Sequence, residues 1–253
     1  MTILEAMDDP NLFGLWFSGK TWTAWFAFLA ALFGLPTTKK QATLFPNFTN
    51  RSELPKKPAK EVWMVRRQAW RKKPHSSSRS RFLACFKDYS QYLAPGERGT
   101  LMVIAADRRQ ARAVMQYIKG FLEIPMLAAM AASERKEIVE LSNRITMEIH
   151  TARFRSTRGY TLIGCVADKI AFWRSEDSAD TDVEILAGVR PGMASIPGAL
   201  LLCISSPYAR RGALWEAYRN HFGKDGDPVL VWQADNRSMN PLDDPQIIRD
   251  AYI

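Results

Sequence analysis

The chain has 253 residues, of which 47% are hydrophobic and 24% are charged. These are ordinary values for a globular protein, and they exclude a disordered or collagen-like chain. The length corresponds to one large domain or two small ones and is sufficient to bury a core without disulfide bonds. The three cysteines have no CxxC spacing, which indicates reduced thiols in a cytosolic protein rather than a disulfide scaffold or a cysteine metal site.

The net charge of +9 is concentrated in one short segment. Residues 66–81 contain seven lysines or arginines and no acid, so the rest of the chain carries +2. A basic segment of this kind is typical of an arm that contacts nucleic acid or a membrane surface.

The N-terminal region contains an apolar run, Trp22–Pro36. Its bulky residues recur at helical spacing, which predicts a helix with one bulky face on a core. The run is shorter than the ~20 residues of a membrane-spanning helix, and Asp8 and Asp9 precede it where a signal peptide would be positive. We therefore expect no membrane association. Thr37–Lys60 is polar and is predicted to be a connector.

Residues 1–60 are thus expected to form an N-terminal helical segment and connector, followed by a domain over 61–253. In this domain, apolar runs alternate with helical patterns at 108–122 and 214–222. Two runs that flank Ser142-Asn143 predict a hairpin. The remaining runs predict strands buried on both faces, so we expect an α/β fold with a mainly parallel sheet. These strands are Glu61–Val65, Gly99–Ala106, Thr161–Ala167, Ala199–Ile204 and Pro228–Trp232.

Polar groups follow several of the predicted strands. They are the basic segment after Val65, Asp107, Asp168 with Lys169, and Ser205-Ser206. The chemistry of parallel sheets collects at the carboxyl ends of strands. The order of these groups along the chain is that of a P-loop nucleotidase. In such a protein, a phosphate loop follows the first strand, an aspartate follows a later strand, and a polar sensor follows the next strand.

The phosphate-loop pattern GxxxxGK[ST] occurs once, at Gly14–Thr21. Such a loop requires a buried strand before it, and Met7–Phe13 does not have a strand pattern. The loop would also contain bulky Leu15, Trp16 and Phe17. We favour a helix start with Thr21 as the N-cap over a phosphate loop, and both interpretations stay open.

The expected position of a phosphate loop, after Val65, contains no glycine, and Pro74 would interrupt the following helix. The codons permitted for Arg66–Pro74 can, however, encode GxxxxGKS when they are read one base later. One hypothesis is that residues 66–81 are a frame-shifted remnant of a phosphate loop. The alternative is a genuine basic DNA-binding arm.

Three segments carry a family resemblance: GERGTLMVIAADRRQARAVMQYIKG (96–120), residues 140–179 with TLIGCVADKIAFW, and residues 190–234 with GALLLCISSPYARRGALW. They resemble the ATPase domain of bacteriophage large terminase subunits. The resemblance implies a P-loop NTPase-like fold of the RecA/ASCE type and ATP hydrolysis that drives double-stranded DNA into a procapsid. It also implies a homo-oligomer, a portal protein and a small terminase subunit as partners, and the cytoplasm of a bacterial host. The family's C-terminal nuclease domain is expected to be missing.

By resemblance, Asp168 ends the Walker B strand and would hold Mg²⁺ through its water shell. The family's next residue is a glutamate that orients the attacking water, and here it is Lys169. A cation cannot accept a proton from water and repels Mg²⁺. The alternative for Asp168 is a simple cap after a buried strand.

Ser205 and Ser206 resemble the coupling motif that senses the γ-phosphate, with an ordinary turn capped by hydroxyl groups as the alternative. Three arginines are candidates for DNA contacts or for a trans arginine that serves a neighbouring subunit's ATP: Arg153, Arg155 and Arg158. They are equally compatible with a solvated basic loop.

The degraded loop leaves Arg66, Lys72 and Lys73 as nucleotide-binding candidates, so binding of ATP and Mg²⁺ is expected to be weak or lost. We expect a catalytically impaired terminase ATPase domain. The alternatives are an inactive prophage relic and a non-enzymatic basic DNA-binding module.

Overall fold

The computed structural model describes residues 1–17, 19, 22–66, 89–152, 159–173 and 181–239. Its centre is an eight-stranded sheet in the order β3-β4-β5-β2-β6-β7-β1-β8. The strands are β1 (Glu61–Arg66), β2 (Gly99–Ala105), β3 (Ala131–Glu134), β4 (Ile138–Leu141), β5 (Ile145–Thr151), β6 (Leu162–Asp168), β7 (Leu200–Ser205) and β8 (Val229–Ala234).

Six neighbouring strands of the sheet, from β8 to β5, are parallel, and only the β3–β4 and β4–β5 pairs are antiparallel. The six parallel strands therefore end at one edge, called here the carboxyl edge. All residues of β2, β6 and β7 are buried because helices cover both faces of the sheet. The predicted α/β fold with a mainly parallel sheet is confirmed.

Four helices precede the first strand: α1 (Ile3–Asp8), α2 (Gly14–Phe17), α3 (Thr23–Phe33) and α4 (Lys39–Thr49). The prediction for α3 was wrong in one respect, because the helix is buried nearly all round, its alanines included. It packs against α1 and α4, and its Phe28 contacts Trp232 of β8 at 5.3 Å between ring centroids. Within the described residues, every helix is too short or too polar to cross a membrane.

The predicted connector, Thr37–Lys60, contains the helix α4 and is therefore not a simple linker. Thr38 and Gln41 form a capping box, in which each side chain accepts a hydrogen bond from the other residue's backbone N–H. The T-x-x-Q signal for this helix was present in the sequence. Arg51, after α4, donates to the carbonyl oxygens of Asp227 and Val229 and so ties the N-terminal segment to the start of β8.

The remaining helices are α5 (Arg108–Leu122), α6 (Pro125–Ala128), α7 (Thr181–Met193), α8 (Gly212–His221) and α9 (Asn236–Met239). Helix α5 begins at the carboxyl edge and packs on the same face of the sheet as the N-terminal helices, called here the first face. Helices α7 and α8 cover the second face. The predicted hairpin is the β4–β5 pair. Strand β3 was not predicted because it is only four residues long and its residues are partly or fully exposed.

Candidate nucleotide site at the carboxyl edge

Asp168 is the last residue of β6 and lies at the carboxyl edge, with 3% of its surface exposed. It pairs with Ala105 of β2 on one side and Ile204 of β7 on the other. Strand β7 alone separates β6 from β1, so about 10 Å lies between the strand that carries Asp168 and the one that ends at Arg66. Asp168 therefore lies at the carboxyl edge, two strands away from the end of β1.

The side chains of Asp168 and Arg66 belong to the same face of the sheet. Val166 and Met64, two residues before each of them, lie in the core of the first face. Because side chains alternate along a strand, Asp168 and Arg66 follow them onto that face. The structure thus brings the predicted Arg66 and Asp168 to one edge and one face.

Lys169 follows Asp168 in a left-handed backbone conformation, with φ of 55°. A non-glycine residue pays about 1–2 kcal/mol for this conformation. The conformation starts a 3₁₀ turn over Ile170–Phe172, in which the amide of Phe172 donates to the Lys169 carbonyl at 2.9 Å. The indole N–H of Trp173 donates to the Asp168 carbonyl, also at 2.9 Å. These bonds hold the half-buried Lys169 at the carboxyl edge directly beside Asp168.

Ser205, the last residue of β7, connects its own strand to this turn. Its hydroxyl accepts from the amide of Ala171 at 3.2 Å and donates to the carbonyl of Ser206 at 3.1 Å. Ser205 is buried and Ser206 is half-buried. The end of β7 is therefore joined by a hydrogen bond to the segment that carries Asp168 and Lys169.

Two further described carboxylates at this edge are already engaged in hydrogen bonds. Asp107, after β2, accepts from the amide of Gln110 at 2.9 Å and caps α5. Asp235, after β8, accepts from the amide of Ser238 at 2.7 Å. Both carboxylates thus serve as helix caps, and a lysine stands beside Asp168. In the part of the chain that the structure describes, no three acidic, histidine or cysteine side chains group as metal ligands.

A cavity of about 420 Å³ lies at the end of β8, next to β1. Arg66 pairs with Ala234 of its lining, so the cavity adjoins the end of the strand where a phosphate loop is expected. Its volume falls within the range of small-molecule sites. The sequence did not reveal the cavity, because its lining comes from segments far apart in the chain: Leu44, Asn47, Phe48, Gln233, Ala234, Asp235 and Ser238.

The described part of the Gly14–Thr21 motif lies elsewhere. Phe13, Trp16 and Phe17 surround Phe121, with ring centroids 5.0, 5.5 and 6.3 Å away. Phe121 is close to the end of α5, thirteen residues after the helix begins at the carboxyl edge, or about 20 Å along its axis. The described residues of the motif are therefore packed on helices far from the end of β1.

The predicted N-cap of the following helix was wrong. Helix α3 begins at Thr23, and Trp22 occupies the N-cap position without a side-chain hydrogen bond. Aromatic packing fixes this helix start instead, since Trp22 contacts Phe17 at 4.7 Å between ring centroids. Lys20 and Thr21 lie outside the described residues.

Several candidate residues also lie outside the described residues: Lys72, Lys73, Arg153, Arg155 and Arg158. The loop that carries the three arginines leaves β5 at the carboxyl edge, where the amide of Ala152 donates to the Ala105 carbonyl at 3.0 Å. Ala105 is the β2 partner of Asp168. The start of this loop is therefore one strand away from Asp168.

No family model and no curated protein sequence matches the chain. Among solved structures, it is similar to the ATPase domain of the large terminase of Thermus phage P74-26 and to a point mutant of that domain. In both comparisons the TM-score is 0.57 and the identity 14%, over 89% of this chain and 92% of the other. It is also similar to the HK97 bacteriophage large terminase, with a TM-score of 0.54 and 14% identity over 77% of this chain and 43% of that one. The chain therefore has the P-loop NTPase-like fold of phage large terminase ATPase domains.

Proposed function

We propose that the chain is a large-terminase-type ATPase domain of a viral DNA-packaging motor, with impaired ATP hydrolysis. The observation that carries the proposal is the carboxyl edge, where Arg66, Asp168 and Ser205 end three neighbouring parallel strands. Ser205 is also bonded to the turn after Asp168, which provides a physical link between the Walker B strand and the coupling strand. The likeness to terminase ATPase domains supports this reading of the edge.

The nucleotide would lie along this edge, from Asp168 towards the end of β8. Its phosphates would occupy the space in front of Asp168 and Arg66. Its base would enter the cavity beside Ala234, where Phe48 offers an apolar wall and Asn47 an amide that can bond a base. In this proposal, the cavity holds the base and the strand ends hold the phosphates of a nucleoside triphosphate.

Hydrolysis is expected to be slow because Lys169 stands in the position of the family's glutamate. Loss of a group that positions or deprotonates the attacking water costs ~10²–10⁴ in rate. An ammonium group cannot take over this role, since it has no lone pair to accept the proton.

Double-stranded DNA is the proposed substrate of the motor, and basic residues on the same edge support this assignment. Arg109, Arg135 and Lys136 are exposed around the start of α5 and the tip of the β3–β4 hairpin. The guanidinium of Arg112 donates to Glu137 at 2.7 Å and lowers the pKa of that carboxyl group. Exposed side chains such as those of Arg109, Arg135 and Lys136 can contact DNA phosphates, and such contacts do not depend on the base sequence.

The motor partners follow from the same proposal. A portal protein, a small terminase subunit and further copies of this chain are the proposed partners, in the cytoplasm of a bacterial host. The loop that begins after Ala152 would then present Arg153, Arg155 and Arg158 to DNA or to a neighbouring subunit's nucleotide.

The test is to measure ATP binding and ATP turnover by the purified full chain beside Asp168→Ala. We expect a fluorescent ATP analogue to bind the wild-type chain, and turnover to stay at the background set by Asp168→Ala. Turnover clearly above that background would contradict the impaired hydrolysis. Absence of any binding would contradict the nucleotide site and favour the inactive prophage relic.

The second candidate function is a non-enzymatic DNA-binding module, and the observation that favours it is the charge of residues 66–81. It predicts affinity for DNA that falls steeply with salt, is independent of sequence, and is lost when the segment is deleted. Unchanged affinity after the deletion would exclude this function. Codons for residues 66–74 that cannot encode glycine and lysine in the shifted frame would exclude the frame-shift hypothesis.

A further inference from the structure

We propose that the base of the nucleotide is recognised by backbone groups on the outer side of β8, the side that faces away from β1. The N–H group of Gln233 and a carbonyl oxygen beside it would form hydrogen bonds to the base in the cavity. This inference rests on the proposed nucleotide site and specifies how that site recognises its base. The base is one that carries a donor next to an acceptor, as adenine does with its amino group and N1.

Strand β8 is the last of the described strands on its side of the sheet, so half of its backbone groups face away from β1. The amide of Val229 donates to the carboxylate of Asp227 at 2.8 Å, and the carbonyl of Val229 accepts from Arg51, so this residue faces the outer side. The direction alternates along a strand, and β8 pairs with β1 without a register shift. The N–H and carbonyl groups of Val231 and Gln233 therefore face outward as well.

Gln233 lines the cavity with its backbone, because its side chain lies on the other face of the sheet. Val231, two residues earlier, is in the core of the second face, and the side chain of Gln233 follows it there. The hydroxyl of Tyr218 on α8 donates to Oε1 of Gln233 at 3.2 Å and holds it on that face. The cavity is shared instead with Leu44 and Phe48 of α4, which pack on the first face. The outward backbone of Gln233 therefore borders the cavity.

The cavity offers a flat base an apolar wall beside a row of donors and acceptors. The ring of Phe48 is stacked on Trp232, with 4.7 Å between the ring centroids and 22° between the planes, which fixes this wall. Carbonyl and N–H groups of Val231 and Gln233 alternate along the outer side of β8. N1 of adenine would accept from the N–H group of Gln233, and the amino group would donate to the neighbouring carbonyl. Backbone groups orient ligands in this way in otherwise apolar sites.

The first experiment uses the full wild-type chain with a fluorescent ATP analogue that is labelled on the ribose, so its base is unmodified. Unlabelled ATP displaces the analogue and sets the reference. The competitor is etheno-ATP, in which an added ring joins the amino nitrogen to N1 and so removes both the donor and the acceptor. We expect etheno-ATP to compete about tenfold more weakly than ATP, because two hydrogen bonds are lost.

A pair of variants tests the N–H group of Gln233 itself. Gln233→Pro removes this group, and a proline is tolerated in an outermost strand when its nitrogen faces away from the neighbouring strand. Gln233→Ala keeps the N–H group, and both variants lose the amide side chain. The dissociation constant of the labelled analogue should therefore be about three- to tenfold higher for Gln233→Pro than for Gln233→Ala. Circular dichroism and urea denaturation check that both variants are folded.

The outcomes separate this inference from the proposed function. Equal competition by ATP and etheno-ATP, or equal dissociation constants of the two folded variants, overturns recognition by the outer side of β8 and leaves the nucleotide site intact. If Gln233→Pro does not fold, the competition with etheno-ATP decides alone. Absence of wild-type binding overturns the nucleotide site itself and the inference with it.

Discussion

Two regions of this protein compete for the role of a phosphate site, and they differ in what they offer. The segment Gly14–Thr21 matches the sequence motif of a phosphate loop, but the aromatic rings of its described residues pack against Phe121 on helix α5. The carboxyl edge lacks this sequence motif after β1, but it has Asp168 and Ser205 at the ends of parallel strands. A phosphate loop binds phosphate because it lies between a buried strand and a helix. The position of each region in the fold, rather than its sequence motif, therefore indicates which region is the phosphate site.

Helix α5 joins the two regions and makes the difference measurable. Its first two turns lie at the carboxyl edge, where Arg112 pairs with Glu137. Its last turn carries Phe121, where the aromatic rings of the N-terminal segment pack. Substitutions at the far end of α5 should therefore change stability alone, and those at the carboxyl edge should also change nucleotide binding.

The largest effect is expected from Phe121→Ala. This buried ring contacts Phe13, Trp16 and Phe17, so its removal leaves a cavity and should lower the free energy of unfolding by about 3–5 kcal/mol. Urea denaturation measures the loss. The control is Leu15→Ala, since Leu15 is 79% exposed and should change stability by less than about 0.5 kcal/mol. A small effect of Phe121→Ala would contradict the packing role of this segment.

A smaller loss is expected from Gly14→Ala. The added Cβ would lie 2.9 Å from the carbonyl oxygens of Asp8 and Asp9, and this overpacking should cost about 1–3 kcal/mol. Nucleotide affinity of the folded protein should not change, and fluorescence titration would detect a loss. Gly120→Ala is the matched control, because its Cβ meets nothing within 4 Å in α5 and should stabilise by about 0.4–1 kcal/mol. Weaker nucleotide binding by Gly14→Ala would support the alternative interpretation, in which Gly14–Thr21 is a phosphate loop.

The smallest stability change is expected from Ser205→Ala at the carboxyl edge. It removes the hydroxyl that accepts from the amide of Ala171, at a cost of about 1–2 kcal/mol. It should also weaken nucleotide binding, since the turn that carries Lys169 loses an anchor. Ser205→Thr keeps a hydroxyl group and should recover much of both losses. Unchanged binding by a folded Ser205→Ala protein would show that this bond does not position the site.

Much of the fold could be predicted from local patterns. Continuous apolar runs located five strands of the sheet to within about two residues, because strands buried on both faces need apolar side chains at every position. The β4–β5 hairpin was predicted from a similarly local pattern. Helix α4 was missed although Thr38 and Gln41 carried a capping-box signal, because the prolines and lysines around them resembled a linker.

The candidate site was predicted only in part. The sequence put Asp168 and Ser205 at the ends of strands, which is a local property of two apolar runs. It could not show that Ser205 bonds to Ala171 or that Asn47 and Asp235 line one cavity, because these contacts join separate segments. The position of Gly14–Thr21 relative to the sheet depended likewise on packing against α5.

The sequence by itself determined that a buried strand ends in Asp168 and that a lysine follows it. Only the tertiary structure decided that β7 lies between β6 and β1, which makes Asp168, Ser205 and Arg66 neighbours. The physical reason is that hydrophobic periodicity reports whether each residue is buried within its own element. The order of strands depends instead on contacts between distant segments.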